Sequence, residues 1–366
     1  MDRRSFLTTT GVGAAAVAAT TISAPAIAQS QPEIRWRLAS SFPKSLDTLF
    51  GSVEFLAKRV SEATDGKFQI RPFAAGEIVP GLQVLDAVQN GTVELGQTAP
   101  YYYVGKDKTF AFYSTVPYGL NARQHAAWMY HGGGMDLMRE LFAGYNIHPI
   151  PGGNTGAQMG GWFRREVKTV EDLNGLKMRV AGIAGEVLQK VGVVPQQIAG
   201  GDIYPALEKG TIDAVEWVGP YDDEKLGFQK VAKYYYYPGW WEGCAELCVI
   251  INSEQWKSLP NAYRAVLEAA ISEARTWMLA KYDAQNPAAL RRLVAAGTQL
   301  RPYSREILDA TYQASFQLYD EVSAQNPTFK KHYEAWRKFR EDAYLWFRVS
   351  ENSFENYVYA QSAAAR

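Results

Sequence analysis

Apolar and polar positions along the chain switch between a strand-like and a helix-like period, and the switches set out its elements. Ile34-Arg35-Trp36-Arg37-Leu38-Ala39 reads as a first strand running out into Ser40-Ser41. A helix from about Thr48 to Thr64 follows and stops at Gly66. Phe68-Gln69-Ile70-Arg71-Pro72 is a second strand, and the β-α-β order predicts parallel pairing. A helix from Leu82 to Asn90 closes at Gly91 and leads into a strand from Val93 to Gln97.

That last unit recurs. Ala87-Val88-Gln89-Asn90-Gly91-Thr92-Val93-Glu94 resembles Ala206-Leu207-Glu208-Lys209-Gly210-Thr211-Ile212-Asp213. A strand at Leu176–Val180 and a helix near Gly185 to Val191 precede the second copy, and a strand from Asp213 to Trp217 ends it. Two related α/β lobes in tandem are predicted. Cys244 to Ile251 reads as a further strand, and the Ala-, Leu- and Glu-rich stretch between Pro260 and Pro287 as a long helix.

Nothing breaks a helix from Thr328 to Arg366, where Phe329, Tyr333, Trp336, Phe339, Ala343, Trp346 and Phe347 recur at spacings of mostly three and four. Fully helical, that segment would run about 58 Å at 1.5 Å per residue. It must bend back onto its own chain or project. A projecting helix would bare an apolar stripe, so the pattern predicts a homodimer made through residues 328–366.

The first residues are of another kind. Met1-Asp2-Arg3-Arg4-Ser5-Phe6-Leu7 reads as a twin-arginine export signal, followed by an uncharged run from Gly11 and the cleavable Ala26-Ile27-Ala28. A membrane anchor fits less well, because the run is mostly Ala and Thr and holds Pro25. The predicted mature chain starts near Gln29 in the periplasm and is long enough for two domains. Lysine plus arginine and aspartate plus glutamate both number 38, so no basic excess points to nucleic acid. Cys244 and Cys248 are the two cysteines. Four strand residues span about 13 Å, beyond disulfide reach, which predicts two free buried thiols.

No catalytic signature stands out. His131-Gly132-Gly133-Gly134 resembles the oxyanion loop of some esterases, but no Gly-x-Ser-x-Gly elbow accompanies it, and a glycine-rich turn is the simpler reading. His125, His131, His148 and His332 form no zinc spacing, and no phosphate-binding loop is present. These absences favour a binding protein. Arg179 ends a predicted strand just before Ala181-Gly182 and a helix start. It is either a carboxylate grip or a surface residue on a strand edge. The clusters Tyr101-Tyr102-Tyr103, Tyr234 to Tyr237 and Trp240-Trp241 are either core packing or the wall of a dry cavity.

Taken together, Gly-Leu-Lys-Met-Arg-Val at 175–180, the run Asp202 to Ala214 and Ile251-Asn252-Ser253-Glu254-Gln255-Trp256-Lys257-Ser258-Leu259-Pro260 carry a family resemblance. Over essentially the whole mature chain the sequence resembles the DctP-type solute receptors of tripartite ATP-independent periplasmic (TRAP) transporters. Glu216-Trp217, Gln158 in Asn154-Thr155-Gly156-Ala157-Gln158, and Glu242 after Trp240-Trp241 are similar to the branch that binds α-keto acids such as pyruvate with a sodium ion.

The resemblance implies an α/β two-domain periplasmic binding protein fold, with a ligand cleft between the domains, a long connecting helix and a C-terminal helical extension. Residues 29–153 plus 243–285 would form domain I, 154–242 plus 286–326 domain II, and 327–366 the dimerising extension. It implies that Arg179 binds the substrate carboxylate, with Asn154 and Tyr103 as polar contacts and Tyr101 and Phe50 as walls. It implies a metal held by Gln158, Glu216, the Trp217 backbone carbonyl and Glu242, with Na⁺ favoured and Ca²⁺ the alternative. Charge points the same way: two glutamates and a substrate carboxylate around one arginine leave a net charge of about −2, costly to bury without a cation.

The expected partners are a 2-oxo monocarboxylate, TRAP membrane permease subunits and a second copy of the chain. The rival readings are a periplasmic enzyme acting on a small carboxylate, a lactate or dicarboxylate receptor of the same family, and a receptor serving an ABC permease.

Overall fold

The computed structural model describes residues 32–364, so the expected export signal lies outside the described residues. Eleven strands among those residues form two sheets: β1 (Ile34–Ser40), β2 (Phe68–Phe73), β3 (Leu95–Thr98), β4 (Ile147–Asn154), β5 (Trp162–Phe163), β6 (Lys177–Arg179), β7 (Val194–Gln196), β8 (Ala214–Val215), β9 (Tyr234–Tyr237), β10 (Glu246–Asn252) and β11 (Gln299–Pro302). The first sheet has the order β2-β1-β3-β10-β4 and the second β11-β9-β5-β8-β6-β7.

The tandem repeat is visible in the topology. β1, the helix Leu49–Ala63, β2, the helix Val84–Gln89 and β3 put the first strand in the middle, parallel to both others. β6, the helix Ala184–Lys190, β7, the helix Gly200–Glu208 and β8 do the same. Gly91 and Gly210 take the left-handed conformation, φ 73° in each, that turns each helix into its strand. Next to each three-strand unit lies an antiparallel strand from elsewhere in the chain, β10 beside β3 and β5 beside β8. The chain therefore crosses between the sheets through residues 155–161 and 238–245, and a third time through the helices between β10 and β11.

Two boundaries differ from the sequence reading. The long helix runs Asn261–Ala295, straight through Pro287. A proline costs a helix one hydrogen bond and a steric clash. Here the helix packs on β4 and the helix Leu49–Ala63 through one part and on the helix Pro220–Leu226 through another, and this packing outweighs the local penalty. β8 is shorter than expected, so Glu216 and Trp217 lie just past its end. Cys248 is in β10 and Cys244 precedes it; both are free and buried, as predicted. The Tyr234–Tyr237 run is β9, where Tyr235 stacks on Trp162 at 4.0 Å; Tyr235 and Tyr236 are core packing, while Tyr237 is exposed.

Beyond Asn326 a helix Pro327–Phe347 passes through a π-helical turn, Arg348–Asn352, into a helix Ser353–Ala364. Its inner half packs on its own chain: Phe329 and Trp336 lie 5.0 and 5.8 Å from the Phe112 ring. Its outer half exposes Leu345, Trp346, Val349, Phe354, Tyr357 and Tyr359, each at least 62% accessible. Among the described residues no helix is long and apolar enough to cross a membrane.

Trp336→Ala should cost about 3–5 kcal/mol, the range for truncating a buried aromatic. Guanidinium unfolding followed by circular dichroism measures it; a loss under about 1 kcal/mol would mean the helix is not part of this fold.

Candidate ligand-binding site

β6 delivers Arg179 from the second sheet into the interior, where 1% of it is accessible. Its Nη1 donates to the Glu216 main-chain oxygen at 2.6 Å and to Glu216 Oε1 at 2.5 Å, and its Nε donates to the Ile198 carbonyl at 3.2 Å. The guanidinium lies 4.9 Å from the centre of the Trp217 ring. Glu216 Oε1 also accepts the Ala181 amide at 2.9 Å. Of the two readings of Arg179, the structure excludes a surface residue. Burial opposes its charge, yet the Glu216 carboxylate keeps its pKa raised.

The crossing segments 155–161 and 238–245 bring further oxygens to this pair. The Gln158 amide donates to the Glu242 carbonyl at 3.1 Å and the Gly239 amide to the Gln158 carbonyl at 3.2 Å, so the crossings are bonded together. Gln158 Oε1, Glu216 Oε2 and Glu242 Oε2 are buried and have no hydrogen-bond partner. Acceptors left bare in a protein interior are costly. Burial raises the Glu242 carboxyl well above its usual range, and the nearby Glu216 charge adds to this. Burial also raises Glu216, against the pull of Arg179.

Three unpartnered oxygens and one uncompensated carboxyl suit a hard cation. Among the described residues no three His, Cys, Asp or Glu side chains gather around one point. The set here has two carboxylates only, with the Gln158 amide oxygen beside them.

Other residues singled out in the sequence lie elsewhere. Asn154 gives its Nδ2 to Glu246 Oε2 at 2.8 Å and accepts the Gly156 amide at 2.9 Å, so it holds the crossing turn. Tyr103 is tied to Thr98 Oγ1 at 2.8 Å and the Leu85 amide at 3.0 Å. Phe50 packs in the core behind the first sheet with Trp36 and Leu38. The wall is made instead by Phe42, Leu49, Tyr101 and Tyr102, around a residual cavity of about 10 Å³ that Gln158 and Trp217 also line. Tyr101 fits because Gly182, at φ 67°, has no Cβ; one would sit 2.4 Å from the tyrosine ring.

Tyr102 was missed, although it neighbours the Arg179 charge. Three tyrosines in a row occupy one 3₁₀ turn, Pro100–Tyr103, and the sequence does not say which of them faces inward. The His131-Gly132-Gly133-Gly134 run joins two helices, with Gly133 left-handed at φ 86°, and is a turn.

The arrangement has close counterparts. The sequence model for bacterial extracellular solute-binding protein family 7, DctP, matches residues 39–326. A Nostoc protein named a monocarboxylate 2-oxoacid-binding periplasmic protein is 50% identical, over 98% of this chain and 99% of its own. The crystal structure of a TRAP transporter solute-binding protein from Bordetella bronchiseptica is 55% identical, with a TM-score of 0.91 over 92% of this chain and 100% of that one. It is a mixed-occupancy dimer, with copurified calcium and picolinate in one active site and the other apo. One from Pseudoalteromonas atlantica, with bound sodium and pyruvate, is 38% identical, with a TM-score of 0.86 over 88% of this chain and 99% of that one. By fold and by sequence, the chain belongs to the DctP family, the bacterial extracellular solute-binding proteins of family 7.

Proposed function

We propose that this protein is a periplasmic receptor of a TRAP transporter that captures short 2-oxo monocarboxylates, pyruvate foremost, together with a cation. The observation that carries the reading is the set of three buried, unpartnered oxygens beside the Arg179–Glu216 pair. Arg179 grips the ligand carboxylate. Gln158, Glu216, the Trp217 carbonyl and Glu242 hold the cation, which offsets the negative charge of the glutamates and the ligand. Na⁺ is the leading ion and Ca²⁺ its competitor for the same oxygens. Phe42, Leu49, Tyr101 and Tyr102 exclude water, and the tightness of their cavity favours a ligand of few atoms. The relatives named above, one called a 2-oxoacid-binding protein and one holding pyruvate and sodium, support this reading.

In this scheme residues 29–153 with 243–285 and 154–242 with 286–326 are two lobes closing on the ligand, residues 1–28 direct export, and TRAP membrane subunits receive the cargo. The protein binds and releases without chemistry, so incubation with 2-oxo acids should yield no product. The exposed apolar residues of 345–359 are covered by a second copy of the chain.

Arg179→Ala should abolish pyruvate binding in titration calorimetry and also lower the thermal midpoint, because Glu216 loses its buried partner, while the circular dichroism spectrum stays that of a folded protein. Arg179→Lys should also bind poorly, because an ammonium cannot supply the planar two-pronged grip. Near-native affinity in the alanine variant would remove the carboxylate from this residue.

Binding of cation and pyruvate should be reciprocally coupled, each raising the affinity of the other by the same factor. The pH dependence has a definite sign. Glu242 titrates above the usual carboxyl range, and a cation needs its ionised form, so proton and cation compete. Calcium affinity should therefore rise with pH, by up to about tenfold per unit, until the raised pKa is passed. Glu242→Gln should flatten that profile. Pyruvate affinity unchanged after exhaustive removal of Na⁺ and Ca²⁺ would overturn the cation assignment.

Light scattering coupled to size exclusion should give a dimer mass for the mature chain at micromolar concentration. A monomer mass would leave the exposed stripe at 345–359 unexplained and the dimer assignment wrong.

A further inference from the structure

Gln158 faces a choice that its neighbours must settle. Its side chain ends in an oxygen and an NH₂ of nearly the same shape. The NH₂ would be drawn to the bare carboxylate oxygens of Glu216 and Glu242, and turned that way it would block a cation. In the structure the oxygen is buried and unpartnered, and the NH₂ donates to Thr155 Oγ1.

The reason lies in Thr155, which is 2% accessible. Its Oγ1 donates to the Gly156 carbonyl at 2.9 Å and accepts the Ala245 amide at 3.0 Å. A hydroxyl has one proton, and that proton is committed to Gly156. Toward Gln158, the remaining partner at 3.1 Å, Thr155 can therefore only accept, so the side-chain nitrogen must point to it. To donate to the amide oxygen of a turned Gln158, Thr155 would have to give up Gly156. The turn itself does not move easily. Asn154 accepts the Gly156 amide and donates to Glu246, and Glu246 takes two hydrogen bonds of 2.6 Å from Arg275.

We propose that Thr155 is a positioning residue that orients the Gln158 amide, presenting its oxygen and withholding its NH₂ from the cation. The proposal deepens the reading of Gln158 as a cation ligand and rests on it. It also gives Asn154 and the Glu246–Arg275 pair a part, as the anchor of the turn that carries Thr155.

The test is calcium chloride titration of the mature protein, without pyruvate, in two backgrounds. With Gln158 in place, Thr155→Val should weaken calcium binding by about 10–100-fold, the usual cost of losing a residue that orients a metal ligand. Thr155→Ser should stay within about threefold, because it keeps the hydroxyl. With Gln158→Glu, Thr155→Val should change affinity by less than about threefold, since a carboxylate presents oxygen on both branches. Equal losses in both backgrounds, or none in either, would overturn the proposal. If the valine variant does not fold, Thr155→Ala takes its place in both backgrounds.

A second readout separates this proposal from the reading beneath it. In glutamine-labelled protein, the Gln158 side-chain amide protons should be shifted and slow to exchange in the parent and in Thr155→Ser. They should return to free-amide behaviour in Thr155→Val. If the parent binds no cation, the cation reading fails, and this resonance alone decides the role of Thr155: unchanged amide protons in the valine variant would overturn it.

Discussion

The interior of this molecule contains more negative charge than its own side chains neutralise. Arg179 compensates Glu216 across a 2.5 Å contact, and Glu242, 2% accessible, has no cation of its own. Taking a charge out of water costs several kcal/mol even after the protein relaxes, unless a partner meets it. In the absence of a cation burial pushes Glu242 toward its protonated, neutral form. A cation would answer the same excess, whereas a monocarboxylate beside Arg179 would add to it. The anion would then depend on the cation to bring the interior closer to neutrality, which is the physical basis for expecting pyruvate to bind poorly without it.

The topology explains why such a site can exist. Each α/β unit accommodates an antiparallel strand from elsewhere in the chain, so the polypeptide passes between the sheets at 155–161 and again at 238–245. Backbone leaving a sheet loses its ladder partners, and the two crossings recover some of them from each other: Thr155 bonds to Ala245 and Gln158 to Glu242. The side chains of the crossings are thereby fixed opposite the end of β6, where Arg179 enters. Glu216 and Trp217 reach the same point because β8 stops short of them.

Much of this was legible in the chain, and the failures have causes. The repeated helix-glycine-strand unit announced two α/β units of like topology, because a left-handed C′ position followed by a strand leaves a sequence mark. Arg179, Glu216, Gln158 and Glu242 were visible through family likeness, whereas spacing alone left Arg179 undecided between grip and surface. The wall was misread. Phe50 and Leu49 are neighbours on one helix and face different cores, and Tyr102 rather than Tyr103 adjoins the arginine charge. Such choices turn on helix phase, which a single residue of slip reverses. The end of the long helix was misplaced because a proline signals locally, while the packing that overrides Pro287 comes from distant elements.

Several polar contacts that tie the two sheet regions together outside the site are of a weak kind. Lys108 meets Glu186 at 2.6 Å, Asp47 meets Lys225 and Lys281, and the Gln197 side chain donates to the Tyr102 carbonyl at 2.9 Å. The charged pairs are open to water, where such pairs contribute roughly 0–1 kcal/mol each. A receptor that must release its cargo needs this balance, since strong latches would hold the lobes shut whether or not a ligand lay between them. If the two units close on a ligand as proposed, a charge balance at Arg179, Glu216 and Glu242 that differs between open and closed states would be the difference through which the ligand shifts the equilibrium. In that scheme the burial that makes bare carboxylates costly would also make closure report on the ligand.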